Sequence, residues 1–268
     1  MDRDSRWLFY RNVIAQWITE RNASILVVAG GRCDRDVFDD LGFHNVVISN
    51  VDTPLEGHDF TPFEWSLQNA ESLTFRDEQF DYVVAHAGLH HCLSPHRALC
   101  EMYRVARRAA IFFESRDSLL MRLMELLKLT STYETTAVYY NDCQHGGAHD
   151  TDIPNFVYRW TEREVEKTIS SYAPYARHKF HYRYGYDGPR IGLREKKGSL
   201  KVLLIMLLKP FYEIFVWLFT RQQNQFACKV DKPVLPNDLH TWIIVDNNKI
   251  TFNREWADGV YKHPLERS

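Results

Sequence analysis

The run Ser24-Ile25-Leu26-Val27-Val28-Ala29, ended at once by Gly30-Gly31, constrains this chain more than any other segment. It is continuous, aliphatic and partly β-branched, and it has no polar alternation. A strand of that kind has no solvent face, so it belongs inside a sheet covered on both sides. The glycine pair stops it and lets the backbone turn sharply.

The segments around it repeat the pattern. Apolar residues at 7, 8, 10, 13, 14, 17 and 18 form a helical stripe. Asp34 to Leu41 reads as a short helix with Asp34 as its N-cap and Gly42 as its stop. Val46–Ser49, Glu64–Gln68, Phe80–Ala85 and Ala109–Phe113 read as further strands, and Pro95–Ala106 as a helix. Thr53 to Phe63 carries Pro54, Gly57 and Pro62 and reads as a loop where a crossover helix is expected. Strands and helices alternating on short connections imply an α/β, doubly wound, mostly parallel sheet. Leu119–Leu129 is expected to be helical, and 132–156 to form a loop or cap rich in polar and aromatic residues. Thr161 followed by Glu164 marks a capping box and a helix start. His178–Tyr184 and Gln225–Val230 have strand composition and suit a final antiparallel pair. The expected organisation is an N-terminal helix (1–23), a sheet domain (24–190) with a cap insertion at about 116–160, and a C-terminal helical and strand extension (191–268).

Composition bounds the function. The net charge of -2 gives no global attraction for nucleic acid, and none is expected as a partner. Five cysteines at 33, 92, 100, 143 and 228 include no CxxC pair, which suits reduced thiols in a cytoplasm. The N-terminus lacks the apolar core of a signal peptide. Aromatics reach 14% and many follow Tyr133, where they either fill a core or line a pocket. Leu200–Phe219 is the most apolar stretch. Lys201, Lys209 and Glu213 make it a poor spanning helix, and Pro210 should kink or end it. Arg194, Lys196 and Lys197 before it and Arg221 after it suit a helix lying in a membrane surface. A helical pair packed on the domain or in a homodimer interface fits the same pattern.

In doubly wound sheets, ligands bind at the carboxyl ends of strands where the strand order reverses. That rule points to Ala29, Gly30 and Gly31 after the first strand and to Asn50 and Asp52 after the second. A tight turn and a loop aspartate would explain these residues equally well. The block Asn69-Ala70-Glu71-Ser72-Leu73-Thr74-Phe75, then Phe80-Asp81-Tyr82-Val83-Val84, then Ala87-Gly88-Leu89-His90-His91, then Arg97-Ala98-Leu99 to Val105, is more specific. Its order, spacing and residue types closely resemble the type 11 class I S-adenosylmethionine (SAM) dependent methyltransferases.

That resemblance implies a Rossmann-like fold, SAM as cofactor and a small-molecule acceptor. It implies that Asn69, Ala70 and Glu71 form the adenine side and that Asp52 or Asn50 holds the ribose. Ala29, Gly30 and Gly31 would pass under the methionine, and His86 and Ala87 would lie near the sulfonium. The sequence departs from the family at the first loop, where Val27, Ala29 and Cys33 replace an acid and two glycines. Asn50 stands at the usual ribose acid, and Arg107-Arg108-Ala109-Ala110 replaces a glycine turn. A similarity to a bacterial subgroup suggests O-methylation of a sugar, nucleotide-linked sugar or surface-polysaccharide precursor, in the cytoplasm or at the inner membrane face. The degraded loop leaves a non-catalytic binding or scaffold protein as the alternative. A nicotinamide oxidoreductase is disfavoured because G-x-G-x-x-G is absent.

For O-methyl transfer, a histidine is suited to take the acceptor proton. His86, His90 and His145 are the catalytic candidates, with His91 beside them. A structural hydrogen bond is the plainer role for His90 and His91. No ligand spacing supports a metal, and none is expected.

Overall fold

The computed structural model describes residues 5–52, 59–188, 200–247 and 249–261. A seven-stranded sheet runs in the order β3-β2-β1-β4-β5-β7-β6. Its strands are β1 (Ile25–Val28), β2 (Val46–Asn50), β3 (Glu64–Leu67), β4 (Phe80–His86), β5 (Ala106–Ser115), β6 (Lys179–Gly185) and β7 (Gln225–Asp231). Strands β1 to β5 are parallel, and β7 is antiparallel to both β5 and β6. The expected final antiparallel pair is therefore present. Strand β7, drawn from the C-terminal segment, lies between β5 and β6.

The pleat explains the apolar runs. Ile25, Val27, Tyr82, Val84, Ile111 and Phe113 face a layer built on helices α1 (Ser5–Trp17) and α2 (Arg32–Asp40). Leu26, Val28, Val83, Ala85, Ala110 and Phe112 face the other way, toward α3 (Pro95–Val105) and α6 (Glu162–Tyr172). Each central strand buries both faces, so continuous hydrophobicity is what the sheet requires. Tyr10, Ile14 and Ile18 are fully buried, which ties the N-terminal segment to this core. Each buried aliphatic side chain of that kind contributes roughly 1.5 to 3 kcal/mol.

Several local expectations need correction. Helix α2 begins at Arg32 and its N-cap is Gly31. Asp34 is the third helical residue, and its carboxylate reaches back to the Gly31 N–H at 2.8 Å. The helix thus starts directly on the glycine turn and draws its cap from inside the first turn. At the far end, α3 passes into β5 at Ala106 without a glycine turn. The two arginines that replace that turn are strand residues anchored by ion pairs, Arg107 to Asp81 at 2.7 Å and Arg108 to Glu20.

The remaining helices are α4 (Leu119–Leu126), α5 (Thr135–Tyr140), α7 (Leu200–Leu218) and α8 (Arg254–Val260). The capping box at Thr161 and Glu164 is formed as expected. Helix α7 runs through Pro210 rather than ending there. Proline removes one helical hydrogen bond, but Leu207, Leu208 and Lys209 before it are strong helix formers and a Lys209–Glu213 pair at 3.6 Å spans the site. Strands β8 (Ile243–Asp246) and β9 (Lys249–Phe252) form a separate antiparallel pair. The loop expected from Thr53 lies outside the described residues as far as 58, and 59–63 holds no helix or strand. No described helix is long and apolar enough to cross a membrane.

Candidate active site at the carboxyl edge of the sheet

Strand order reverses between β1, whose chain moves on to β2, and β4, whose chain moves on to β5. The crevice at their carboxyl ends is the position where such sheets bind ligands. Two backbones meet there in an unusual conformation. Ala29 after β1 has φ 50 and Ala87 after β4 has φ 53. A non-glycine residue in the left-handed region costs about 1 kcal/mol or more, and such strain collects at functional sites. Ala87 is held by its N–H to the Phe113 carbonyl at 2.8 Å.

Two glycines allow the close approach. A Cβ on Gly88 would lie 2.6 Å from Ala29 Cβ and 3.0 Å from the Ala29 carbonyl oxygen. A Cβ on Gly30 would lie 2.6 Å from Val27 Cγ1. The loop is braced from both sides. Asn50 Nδ2 donates to the Gly30 carbonyl at 3.0 Å, while Asn50 Oδ1 accepts the Val51 and Asp52 N–H groups. Tyr10 donates its hydroxyl to Asp34 at 2.8 Å. Burial pushes the Asp34 carboxyl up to about 6, against the lowering effect of its Gly31 and Tyr10 hydrogen bonds. Asp34 and Tyr10 therefore stand in for the missing glycines by fixing the turn through side chains. The 3.6-period stripe contained Tyr10, but nothing in it distinguished a bracing hydroxyl from a core residue.

After β3, Asn69 Oδ1 accepts the Glu71 N–H at 2.9 Å, closing a turn that holds the buried Ala70. Glu71 is committed elsewhere. Its two oxygens accept the Leu93 N–H at 3.0 Å and the Ser94 N–H at 2.9 Å. It anchors the start of α3 to the Asn69 turn.

The three histidines singled out from the sequence fall in separate settings. His86 stacks on Tyr10 with ring centroids 4.2 Å apart and packs against Phe113. His145 lies 3.6 Å from Asp150 and groups with Asp52. The cap therefore brings His145 and Asp150 to the end of β2, where a ribose would sit, and His149 to 3.8 Å from Glu71. His90 is held by two carboxylates. Its Nδ1 is 2.7 Å from Glu114 and its Nε2 is 3.2 Å from Glu134. Glu114 also accepts the Leu89 N–H at 2.8 Å.

Burial alone would lower the His90 pKa, but the Glu114 charge and the hydrogen bonds of both carboxylates outweigh it and push it up to about 10. The His90 hydrogen bond holds Glu134 down at about 2 despite burial. Burial and the neighbouring His90 charge lower His91. His91 Nδ1 donates to the Gly147 carbonyl at 3.3 Å, and its Nε2 lies 3.5 Å from Glu134. Glu134 was not among the sequence candidates. It sits 44 residues from His90, in a segment without periodicity, and only the fold of the cap brings it there.

Comparison with known proteins agrees with this geometry. Residues 43–113 match the model of a methyltransferase domain, the type 11 family. Over that stretch the chain is similar to a methyltransferase domain. The matched stretch contains β2, β3, β4, α3 and most of β5. A search of curated proteins finds no match.

The methyltransferase fold is also that of solved structures. A SAM-dependent methyltransferase from Thermotoga maritima aligns at TM-score 0.51 and 15% identity, over 85% of this chain and 89% of that one. One from Mesorhizobium loti aligns at TM-score 0.51 and 8% identity, over 82% and 96%. One from Archaeoglobus fulgidus gives 0.50 and 10%, over 84% and 94%.

The residues at the switch point fit the cofactor. Left-handed backbones at Ala29 and Ala87, a loop with no side chain at Gly30, and the carboxylate of Asp52 at the end of β2 are what an amino-acid and ribose ligand needs there. These features, together with the domain match, are those of a SAM-dependent methyltransferase domain.

Proposed function

We propose that this methyltransferase O-methylates a sugar, nucleotide-linked sugar or surface-polysaccharide precursor. One observation carries the reading. A cavity of about 500 Å³ opens on the cap, lined by Thr135, Thr136, Val138, Tyr139, Cys143 and Asp152. Two hydroxyls, an aromatic ring and a carboxylate are the groups that recognise a saccharide. Thr135 on the cavity wall follows Glu134 directly in the chain, which motivates linking this cavity with the His90, His91 and Glu134 cluster.

The bound cofactor supplies a methyl group already activated on a sulfonium. The chain's own work is to align the acceptor and manage its proton. Ala29, Gly30, Gly31 and Ala87 form the floor of the cofactor site in this reading. Asp52 takes the ribose, and Asn69 with Ala70 takes the adenine. Asn50 and Glu71 brace these loops through the hydrogen bonds described above. His90, held charged between Glu114 and Glu134, positions Glu134 and is not free to take the acceptor proton. His86 shapes the cleft through its stacking on Tyr10, and His145 closes the cap over Asp52.

Calorimetry on the intact chain tests the cofactor half of this reading, with micromolar binding of SAM or its demethylated product as the expected result. Asp52→Asn should weaken it about tenfold, the value of one charge-assisted hydrogen bond. A screen of nucleotide sugars and cell-surface saccharides with labelled SAM tests the acceptor. Transfer only to non-carbohydrate acceptors would refute the sugar assignment.

We also propose that α7 docks on an anionic membrane surface at the inner face of the membrane. Leu207, Phe211, Ile214, Trp217 and Leu218 are all exposed on this one helix. Exposed large apolar groups clustered in this way mark a contact surface. Arg221 follows the helix; Arg194, Lys196 and Lys197 lie outside the described residues.

A further inference from the structure

The cluster of His90, His91 and Glu134 has a property that an ion pair alone does not require. Each histidine is oriented through its outer nitrogen. His90 Nδ1 donates to the buried Glu114 at 2.7 Å, where the Glu114 side chain is 1% exposed. His91 Nδ1 donates to the Gly147 carbonyl at 3.3 Å. Both Nε2 atoms are thereby directed at one oxygen, Glu134 Oε2, at 3.2 and 3.5 Å. Histidines that ligate metals are held in this way, by a carboxylate or a backbone carbonyl on the nitrogen opposite the ion.

The spacing also fits. Bonds of about 2.1 Å at angles between 90° and tetrahedral place neighbouring ligand atoms roughly 3.0 to 3.4 Å apart. The two measured nitrogen-to-oxygen separations, 3.2 and 3.5 Å, fall at that value or just beyond it. All three donor atoms lie within 4.8 Å of one another.

We infer that His90 Nε2, His91 Nε2 and Glu134 Oε2 form a binding site for a divalent first-row transition-metal ion, with Glu114 and the Gly147 carbonyl orienting the two imidazoles. Two histidines and one carboxylate is a donor set suited to zinc or ferrous iron, and it leaves coordination positions open for oxygen ligands. The sequence carried no ligand spacing because the carboxylate lies 44 residues from His90, on the cap. A second grouping, Asp52, His145 and Asp150, is also within ligand distance. Among the described residues no outer carboxylate or carbonyl orients its imidazole: His145 Nδ1 lies 3.6 Å from Asp150, a member of the grouping itself. The site is independent of which acceptor the enzyme methylates.

The test is a calorimetric titration of Zn²⁺ into the chelator-treated intact chain, with Co²⁺ absorption as a second readout. One ion per chain is expected, at micromolar affinity or tighter, with visible Co²⁺ bands. His91→Gln and Glu134→Gln should each weaken binding at least tenfold. Glu114→Gln should weaken it between ten- and a hundredfold, as loss of an orienting partner does. Near-UV circular dichroism identifies any variant that fails to fold, and both His91 and Glu134 are partly exposed positions where substitution is tolerated best. No binding by folded wild-type protein would overturn the assignment. So would unchanged affinity in both His91→Gln and Glu134→Gln. Loss of binding in His145→Asn alone would also overturn it, by moving the ion to the second grouping.

Discussion

Glu114 and His90 form the central polar contact of the site, 2.7 Å apart and almost wholly withdrawn from solvent. Glu114 ends β5 and His90 lies on the turn after β4, so the pair ties two adjacent parallel strands together at their carboxyl ends. Its position follows from the register, which sets His86 opposite Phe113.

Glu114→Gln removes the negative partner from a buried pair while leaving the backbone contact to Leu89 available. Breaking one side of a buried ion pair costs about 3 kcal/mol. The expected outcome is a fall of that size in urea-unfolding free energy at neutral pH. A change below about 0.5 kcal/mol, typical of exposed substitutions, would show that the pair carries no structural weight.

Gly88→Ala should separate the loops that follow β1 and β4. The added Cβ meets the Ala29 Cβ at 2.6 Å and its backbone carbonyl at 3.0 Å, and backbone cannot swing aside. Overpacking of this kind costs about 1 to 3 kcal/mol. Reduced SAM affinity should accompany the loss of stability. Wild-type affinity in a folded Gly88→Ala protein would argue against the crevice between these loops as the cofactor site.

Acid should destabilise the fold through His178. Its Nε2 lies 2.9 Å from the Tyr103 hydroxyl. Burial, and then the charges of His240 and Lys232, lower its pKa to about 4. The native state therefore binds fewer protons than the unfolded state between the ordinary value of 6.5 and about 4. The stabilisation of the neutral ring is complete above pH 6.5 and is lost progressively as pH falls toward 4. His178 is not fully withdrawn from water, so solvent screening reduces the size of this contribution to about 1 to 2 kcal/mol. Stability measured from pH 7 to pH 4 should fall less steeply in His178→Gln than in wild type. Parallel curves would assign the acid sensitivity to other groups.

The proposed membrane contact predicts that intact protein cosediments with phosphatidylserine-containing vesicles. Phe211→Glu with Trp217→Glu should abolish it, since both side chains are exposed and their loss disturbs no core. Vesicle binding unchanged by the double substitution would refute the proposal. Wild-type dimerisation in sedimentation velocity, lost in the double variant and without vesicle binding, would assign the face to a second copy instead.

Much of the fold was legible in the sequence because burial on two faces writes itself as an unbroken apolar run. Ile25–Val28 and the Phe80–Val84 stretch could be read as central strands for that reason alone. The capping box at Thr161 was equally plain, since it depends on residues three apart. The position of the N-cap at Gly31 was not, because Asp34 reaches its partner from inside the helix rather than from before it. Proline at 210 left a kink or an end open in the sequence, and the helix continues through it with the Lys209–Glu213 pair spanning the site.

The cofactor crevice follows from sequence-local facts: strand ends, glycines and the Asn69 turn. The acceptor side does not. The cap has no period to betray its path, and Glu134 and Gly147 reach His90 and His91 only through tertiary folding. By itself the sequence determined the layered sheet and the resemblance to a methyltransferase domain. The tertiary structure alone decided which histidines converge and which carboxylates hold them, because the orientation of an imidazole is set by partners distant along the chain.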